Sequence, residues 1–173
     1  MLKIKSIKIN FNKKLKSIYS SEEINSIWNQ WIIKELLNMK AIQYLANQEI
    51  LIAQKSQAKI NLVIQHLLSG KPIQYFFGYS YFKGLKFLVN DDVLIPRPET
   101  EELVDYVLSH VKDNKTKKII DIGTGSGCIS IALKKKLNVD ITAVDHSEKA
   151  LDVASKNAQF HRVSIDFKLI NIL

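Results

Sequence analysis

An aspartate and three glycines stand close together where an apolar segment ends. Asp121 lies at the end of this segment, and Gly123, Gly125 and Gly127 alternate directly after it. Glycine lets the backbone approach a ligand without a clash from a Cβ atom. The helical pattern that follows would direct free N–H groups toward the ligand, which favours an anionic group. We therefore predict a ligand-binding loop at the carboxyl end of a buried strand.

A second acidic residue, Asp145, ends the next apolar segment, 18 residues after Gly127. The carboxyl ends of neighbouring parallel strands lie side by side, and a carboxylate there accepts hydrogen bonds from ribose hydroxyl groups. Asp145 and the glycine loop together predict a site for a ligand with a nucleoside and an anionic end. A structural interpretation stays open, in which Asp145 stabilises the start of the next helix and Ser147 caps it.

The other reactive side chains form no recognisable site. Cys128 is the only cysteine, so no internal disulfide is possible, and its place in a glycine-rich turn before an apolar helix indicates a packing role. The four histidines lack the spacing of metal ligands, and we expect them to be surface or capping residues: His66, His110, His146 and His161. We predict no metal site and no catalytic side chain in this sequence.

The segments around these residues alternate between helical and extended patterns. Apolar side chains at helical spacing predict helices, and short apolar runs bounded by turns predict strands. The sequence predicts helices at 101–111, 129–137 and 147–158, strands at 118–122, 140–144 and 164–170, and a polar loop at 113–117. Strands that alternate with helices indicate an α/β fold with a parallel sheet.

The N-terminal part of the chain shows a different sequence pattern. Residues 1–70 show helical patterns, including a capping box from Ser20 to Glu23. Residues 71–95 are rich in aromatic and β-branched side chains around glycines, and residues 82–85 have the form of a hairpin turn. We predict three parts: a helical domain at 1–70, a linking β-hairpin at 71–95 and an α/β domain at 96–173.

The chain has a formal charge of +8 and a pI of about 9.4. One interpretation is a polyanionic partner, such as nucleic acid or the ribosome. The other is codon usage, because 23 of the 25 basic residues are lysine and share AT-rich codons with the frequent Ile and Asn. The lysines are scattered, so we expect no direct nucleic-acid binding. Without an apolar run of ~18 residues or a signal-peptide pattern, we expect a cytoplasmic protein that does not bind membranes.

The spacing of the glycines separates two classes of ligand. Dinucleotide sites prefer G-x-G-x-x-G, whereas the glycines of this chain alternate. The alternating pattern resembles the S-adenosylmethionine loop of class I methyltransferases. That resemblance implies a Rossmann-like domain whose loop contacts the methionine part of the cofactor, while Asp145 contacts the ribose. The implied cofactor contacts are Gly123, Thr124, Gly125, Ser126, Gly127, Asp145, Asn171 and Ile172.

Four runs narrow this resemblance to one family. They are Gly70-Lys71-Pro72-Ile73-Gln74-Tyr75, Gly84-Leu85-Lys86-Phe87, Pro96-Arg97-Pro98-Glu99-Thr100-Glu101 and the residues from Asp121 to Gly127. Together they closely resemble the protein-(glutamine-N5) methyltransferases that modify peptide chain release factors. The resemblance implies a helical domain that recognises the protein substrate, a linking hairpin and the first half of a Rossmann-like domain. The implied substrate is the glutamine of the Gly-Gly-Gln motif in class 1 release factors.

Two departures from the family pattern bear on activity. The family has an acid near the end of the third strand that contacts adenine; the matching residue is Asn171, with Asp166 as a nearby alternative. The family's Asn-Pro-Pro-Tyr motif, which holds the glutamine amide, does not occur in these residues, so we expect a chain that stops before it. The alternatives are a binding module without activity, a glutamine methyltransferase for a ribosomal protein, a nucleic-acid amino methyltransferase and a nicotinamide-dependent oxidoreductase.

Overall fold

The computed structural model of the chain describes residues 1–111 and 118–172. It divides the chain into two units, Met1–Phe76 and Phe77–Leu173. The predicted polar loop at 113–117 lies outside the described residues. Within the described ranges, every helix is too short or too polar to cross a bilayer.

The first unit is mainly helical, as the sequence predicts. Its helices are α1 (Ile4–Leu15), α2 (Ser21–Ile27), a π-helix that continues it (Trp28–Leu36), α3 (Ala41–Ala46) and α4 (Gln54–Leu68). A further helix, α5 (Ile73–Phe77), ends at the first residue of the second unit. Two short strands, β1 (Leu2–Lys3) and β2 (Leu51–Ile52), pair antiparallel. The sequence pattern does not predict these strands, because two residues are too few to show an alternation of side chains.

Local sequence explains how the helices of the first unit begin and what they bury. Ser20 Oγ accepts a hydrogen bond from the Glu23 N–H, and Glu23 Oε2 accepts one from the Ser20 N–H. The predicted capping box at the start of α2 is therefore confirmed. Trp28 is fully buried, and its ring meets Phe11 edge-on at a centroid distance of 5.3 Å. An apolar stripe of α4 is also buried: Ile60, Val63, Ile64 and Leu67.

The second unit consists of a hairpin followed by alternating helices and strands. Its elements are β3 (Tyr79–Phe82), β4 (Leu85–Leu88), α6 (Pro98–His110), β5 (Lys118–Ile122), α7 (Cys128–Lys134), β6 (Asp140–Asp145), α8 (Glu148–His161) and β7 (Asp166–Leu169). The last three strands form a parallel sheet in the order β5-β6-β7, with Asp121 beside Ala143 and Ala143 beside Phe167. The predicted α/β fold is confirmed, and its arrangement is Rossmann-like.

The β3–β4 hairpin turns through Lys83 and Gly84, as the sequence predicts. Both residues have positive φ angles, 50° and 72°, which two-residue hairpin turns of the common type require. The turn is attached to α6, because the Lys83 N–H donates to Glu101 Oε1 at 2.8 Å and Lys83 Nζ lies 2.8 Å from Asp105 Oδ1. The hairpin lies within the second unit; a functional division at residues 70 and 95 stays a prediction.

The core of the second unit lies on one face of the parallel sheet. It joins the hairpin, α6, α7 and α8 to the sheet through buried apolar side chains: Phe82, Phe87, Val104, Cys128, Ile131, Ala132, Leu133, Ile141 and Ala158. Ile119 of β5 packs against this core. Ile120 and Ile122 point to the opposite face, and the two residues are 61% and 54% exposed. The helices therefore hold β5 and β6 in place from one side, and they position the loops at the strand ends.

Candidate functional site

The glycine loop follows β5 and needs glycine for two different reasons. Gly123, Gly125 and Gly127 have φ angles of 75°, 54° and 77°, in the left-handed region that favours glycine. A Cβ atom at Gly127 would also lie 3.2 Å from the Cβ atom of Ala154 and 3.2 Å from Ile131 Cδ1. At Gly123 and Gly125 no atom lies within 4 Å of such a Cβ position. Backbone conformation alone thus selects glycine at 123 and 125, whereas close approach to α8 adds a second reason at 127.

The Asp121 carboxylate binds side chains of the loop and of α7 inside the fold and does not border the cavity at the strand ends. The Asp121 side chain is buried, and Oδ2 accepts hydrogen bonds from Thr124 Oγ1 at 2.8 Å and Ser130 Oγ at 2.5 Å. A buried carboxylate needs such partners, because an unsatisfied charge is costly to remove from water. The Thr124 hydroxyl therefore belongs to a buried network that joins the end of β5 to α7.

Asp145 closes the loop against the end of β6. Its Oδ2 accepts a hydrogen bond from the Gly125 N–H at 2.9 Å, and its Oδ1 accepts one from the Ser147 N–H at 3.0 Å. Ser147 caps α8, since its hydroxyl accepts a hydrogen bond from the Ala150 N–H at 3.2 Å. Asp145 therefore does stabilise the start of α8, and Ser147 does cap that helix, as the structural interpretation of these two residues predicts. This role does not exclude ligand binding, because a carboxylate has about four lone-pair positions and these two bonds use only two of them.

The backbone of the loop is tied to β6 as well. The N–H groups of Gly123 and Thr124 both donate to the Val144 carbonyl oxygen, at 2.9 and 3.0 Å. Together with the bond from Gly125 to Asp145, three successive amide groups of the loop are used inside the fold. These amides hold the loop in its conformation, whereas the predicted anion-binding groups are the N–H groups at the start of the following helix, α7.

A cavity of about 420 Å³ lies at the carboxyl ends of the three parallel strands. Its walls contain four of the eight predicted cofactor residues: Gly123, Asp145, Asn171 and Ile172. Of the other four, Thr124, Ser126 and Gly127 are buried and Gly125 is half-buried. The structure therefore brings the carboxylate, one loop glycine and the segment after β7 together at the cavity, and the other four predicted residues do not border it.

Four residues in the cavity wall were not predicted: Ile122, Val144, His146 and Ile170. Ile122 ends β5, and Val144 is the next-to-last residue of β6. A signal was therefore present, because residues at the carboxyl ends of parallel strands line ligand sites. His146 follows Asp145, and its Nδ1 lies 3.4 Å from Asp145 Oδ1. Its exposed side chain agrees with the predicted surface position, although it also borders the cavity.

The structure separates the two candidates for the adenine contact. Asn171 borders the cavity. Asp166 begins β7 and so lies at the amino end of that strand, away from the cavity. There its Oδ2 accepts a hydrogen bond from Thr142 Oγ1 at 3.4 Å and lies 3.1 Å from Lys168 Nζ. Of these two residues, Asn171 lies beside the cavity and Asp166 does not.

Cys128 and the histidines add no reactive centre to this site. Burial raises the pKa of the Cys128 thiol to about 11, which leaves it protonated at neutral pH. His161 is half-buried, and its Nε2 lies 2.8 Å from the Lys86 carbonyl oxygen, so it anchors the hairpin instead of capping a helix. In the part of the chain that the structure describes, no three His, Cys, Asp or Glu residues are grouped as metal ligands would be.

Comparison with known proteins identifies relatives of this sequence. Residues 102–173 match the family described as the methyltransferase small domain. The chain is 41% identical over 98% of its length to the release factor glutamine methyltransferase of Flavobacterium psychrophilum, and 37% identical over 89% of its length to that of Bacteroides thetaiotaomicron. It is 36% identical over 80% of its length to the enzyme of the same name from Staphylococcus aureus.

The chain spans 61%, 55% and 49% of the lengths of these three relatives. The similarity thus covers most of this chain and about half of each of the longer proteins. The resemblance to the release factor glutamine methyltransferases is confirmed along nearly the whole chain, which contains the matched part of a methyltransferase domain.

Proposed function

We propose that this chain binds S-adenosylmethionine in the cavity at the ends of β5, β6 and β7, as the cofactor site of an enzyme that methylates release factors. The observation that carries the proposal is the position of Asp145, whose carboxylate holds the glycine loop and lines the cavity at the same time. The names of the related enzymes support the substrate. The methylated group is the side-chain amide of the glutamine in the Gly-Gly-Gln motif of class 1 release factors.

The residues around the cavity fit a nucleoside. The volume of the cavity, about 420 Å³, lies within the range of small-molecule sites. Asp145 keeps lone pairs that accept hydrogen bonds from ribose hydroxyl groups. The Asn171 amide offers both a donor and an acceptor beside a base, and the exposed side chains of Ile122 and Ile172 give that base an apolar surface.

Methyl transfer from a sulfonium to an amide depends more on the alignment of the two reacting groups than on proton transfer by a side chain. When bound, S-adenosylmethionine would supply a methyl group on a sulfonium sulfur, which leaves as the neutral thioether without help from an acid, while the methylated amide nitrogen releases one proton to solvent. The residues of this chain contribute by position: Asp145 orients the nucleoside, and Gly123 leaves space beside the end of β5. Orientation of two reacting groups by itself provides a large part of the rate enhancement in such transfers.

Equilibrium binding tests the cofactor site directly. We expect S-adenosylhomocysteine to bind the chain, measured by isothermal titration calorimetry, and NAD to compete weakly or not at all. Asp145→Ala should abolish binding, whereas Asp166→Ala, at the opposite end of the sheet, should leave the dissociation constant within about twofold of the unchanged chain. Tighter binding of NAD than of S-adenosylhomocysteine would contradict the proposal and favour an oxidoreductase.

A methyl-transfer assay tests the substrate. The chain is incubated with S-adenosylmethionine labelled in the methyl group and with a class 1 release factor, and a release factor with the motif glutamine changed to alanine is the control. We expect label only in the unchanged release factor. Cofactor binding without any labelling would leave the cofactor site in place and assign these residues to binding alone, the second candidate function.

A further inference from the structure

One stripe of α8 faces both the glycine loop and the hairpin. It contains Ala154, Asn157 and His161, which are spaced three and four residues apart and so lie on the same side of the helix. Ala154 packs against Gly127 of the loop, as the 3.2 Å distance to a Cβ position at Gly127 shows. His161 Nε2 contacts the Lys86 carbonyl oxygen of β4 at 2.8 Å. The two ends of the stripe therefore contact different segments of the unit.

Asn157, in the middle of the stripe, contacts both segments at once. Its side chain is completely buried. Its Oδ1 accepts a hydrogen bond from the Leu88 N–H at 2.7 Å, and its Nδ2 donates to the Leu88 carbonyl oxygen at 3.0 Å and to the Ser126 carbonyl oxygen at 2.9 Å. A side-chain amide has two N–H donors and one acceptor oxygen, and all are used. These bonds join the last residue of β4 to the loop between Gly125 and Gly127.

These hydrogen bonds require the side-chain amide of asparagine, and a side chain of the same size without that amide would not form them. A buried apolar residue would leave the Ser126 and Leu88 backbone groups without partners, which is costly in the interior. An aspartate would keep the shape and one acceptor, but it would place a carboxylate against two carbonyl oxygens. The position thus sets where the Ser126 carbonyl lies, and Ser126 directly follows the Gly125 N–H that donates to Asp145.

We propose that Asn157 is a positioning residue for the cofactor site, acting through Ser126 and Gly125 on Asp145. The proposal rests on the function proposed above, because it assumes that Asp145 binds the nucleoside. Asn157 itself does not line the cavity. Its effect is to fix the loop, so that Asp145 keeps its bonds to the Gly125 and Ser147 N–H groups and offers its two other lone-pair positions to the ligand.

The test compares Asn157→Asp with His161→Gln, a control that changes the same face of α8 and the same hairpin without touching the loop. We expect Asn157→Asp to weaken S-adenosylhomocysteine binding about tenfold or more, as the loss of buried hydrogen bonds implies. His161→Gln, whose amide can still donate to the Lys86 carbonyl, should stay within about twofold. Asn157→Ser, which is smaller and keeps one donor, should fold and give an intermediate loss.

Two readouts separate positioning from simple destabilisation. Thermal midpoints of all variants show whether affinity falls in proportion to stability; a proportional fall in every variant, or unchanged affinity in Asn157→Asp and Asn157→Ser, overturns the proposal. Amide hydrogen exchange of the peptide that covers residues 123–128 is measured without ligand. We expect faster exchange there in Asn157→Asp than in His161→Gln, and equal rates would count against the proposal even if the unchanged chain bound no cofactor.

Discussion

The Gly125 amide and the Asp145 carboxylate are joined by a hydrogen bond of 2.9 Å across the ends of two neighbouring strands. The bond ties the glycine loop after β5 to the last residue of β6. Because Asp145 also borders the cavity, one side chain connects the shape of the loop to the binding of a ligand. A change at Asp145 should therefore affect stability and affinity together.

Asp145→Asn tests this connection with little change in shape. The amide has one acceptor oxygen where the carboxylate has two, so an NH2 group would face either the Gly125 or the Ser147 N–H. We expect a loss of about 1–3 kcal/mol in the free energy of unfolding and a loss of S-adenosylhomocysteine affinity of about tenfold or more. Urea denaturation and calorimetry measure the two effects.

The matched control for this variant is Asp140→Asn, at the exposed first position of the same strand. It removes the same charge from β6 without touching the loop, so both stability and affinity should stay close to those of the unchanged chain. Equal losses in the two variants would mean that net charge, and not the contact with Gly125, is responsible.

The part of the site formed by strand ends could be predicted from sequence, because short apolar runs followed by glycine or acid mark those ends. β5 begins and ends at the predicted residues 118 and 122. Helix α6 begins at Pro98, three residues before the predicted start, because proline fits the first helical turn, where its missing N–H has no partner to lose.

The direction of the side chains in the loop could not be predicted in the same way. The Thr124 hydroxyl binds Asp121 below the loop, and Asn157 joins residues that lie 31 and 69 positions away in sequence. Such contacts depend on how distant segments pack together, and no local period in the sequence encodes them. Four of the predicted cofactor residues are consequently not among the residues that line the cavity, and their contact with a cofactor stays a prediction.

Cys128 should make the stability of the second unit depend on alkaline pH. Burial raises its pKa from 9.0 to about 11, so the folded chain keeps a proton that the unfolded chain loses. The stabilisation is complete below about pH 9 and is lost as the pH rises toward 11, by about 2–3 kcal/mol. Cys128→Ala should lack this component, and the difference in unfolding free energy between the two proteins, measured from pH 8 to pH 11, isolates it. A difference that stays constant over this range would show that the thiol is not responsible.

The exposed face of β5 should promote self-association. Ile120 and Ile122 are largely exposed, and among the described residues no strand pairs with the outer edge of β5. Edge strands with apolar side chains favour aggregation. Ile120→Lys should therefore reduce light scattering at high concentration and change the free energy of unfolding by less than about 0.5 kcal/mol.

A lysine at the neighbouring position gives the matched comparison. Ile119 packs against the core of the second unit, so Ile119→Lys places a charge in an apolar environment and should destabilise the fold by several kcal/mol, on the order of 3. If Ile120→Lys destabilised the chain as strongly as Ile119→Lys, the two faces of β5 would not differ in the way that the structure shows.

The positive charge of the chain is concentrated in the first unit. Residues 1–76 contain eleven lysines and four glutamates and no other charged residue, which accounts for +7 of the total of +8. If this unit takes part in recognising a release factor, its exposed lysines should increase the association rate with an acidic surface of that partner. Changing three of them on and after α1 to glutamate should lower the affinity for a release factor: Lys5, Lys13 and Lys16.

The control makes the same change of net charge on the second unit, at Lys135, Lys136 and Lys156, which are also exposed. Affinities and association rates are measured at 50 and 300 mM salt, because screening at the higher salt weakens contacts between exposed charges. We expect the first-unit variant to lose more affinity than the control at 50 mM and the two to converge at 300 mM. If the two variants lost the same affinity as each other at 50 mM salt and again at 300 mM salt, the effect would come from the overall charge of the chain. The lysines of the first unit would then reflect composition alone.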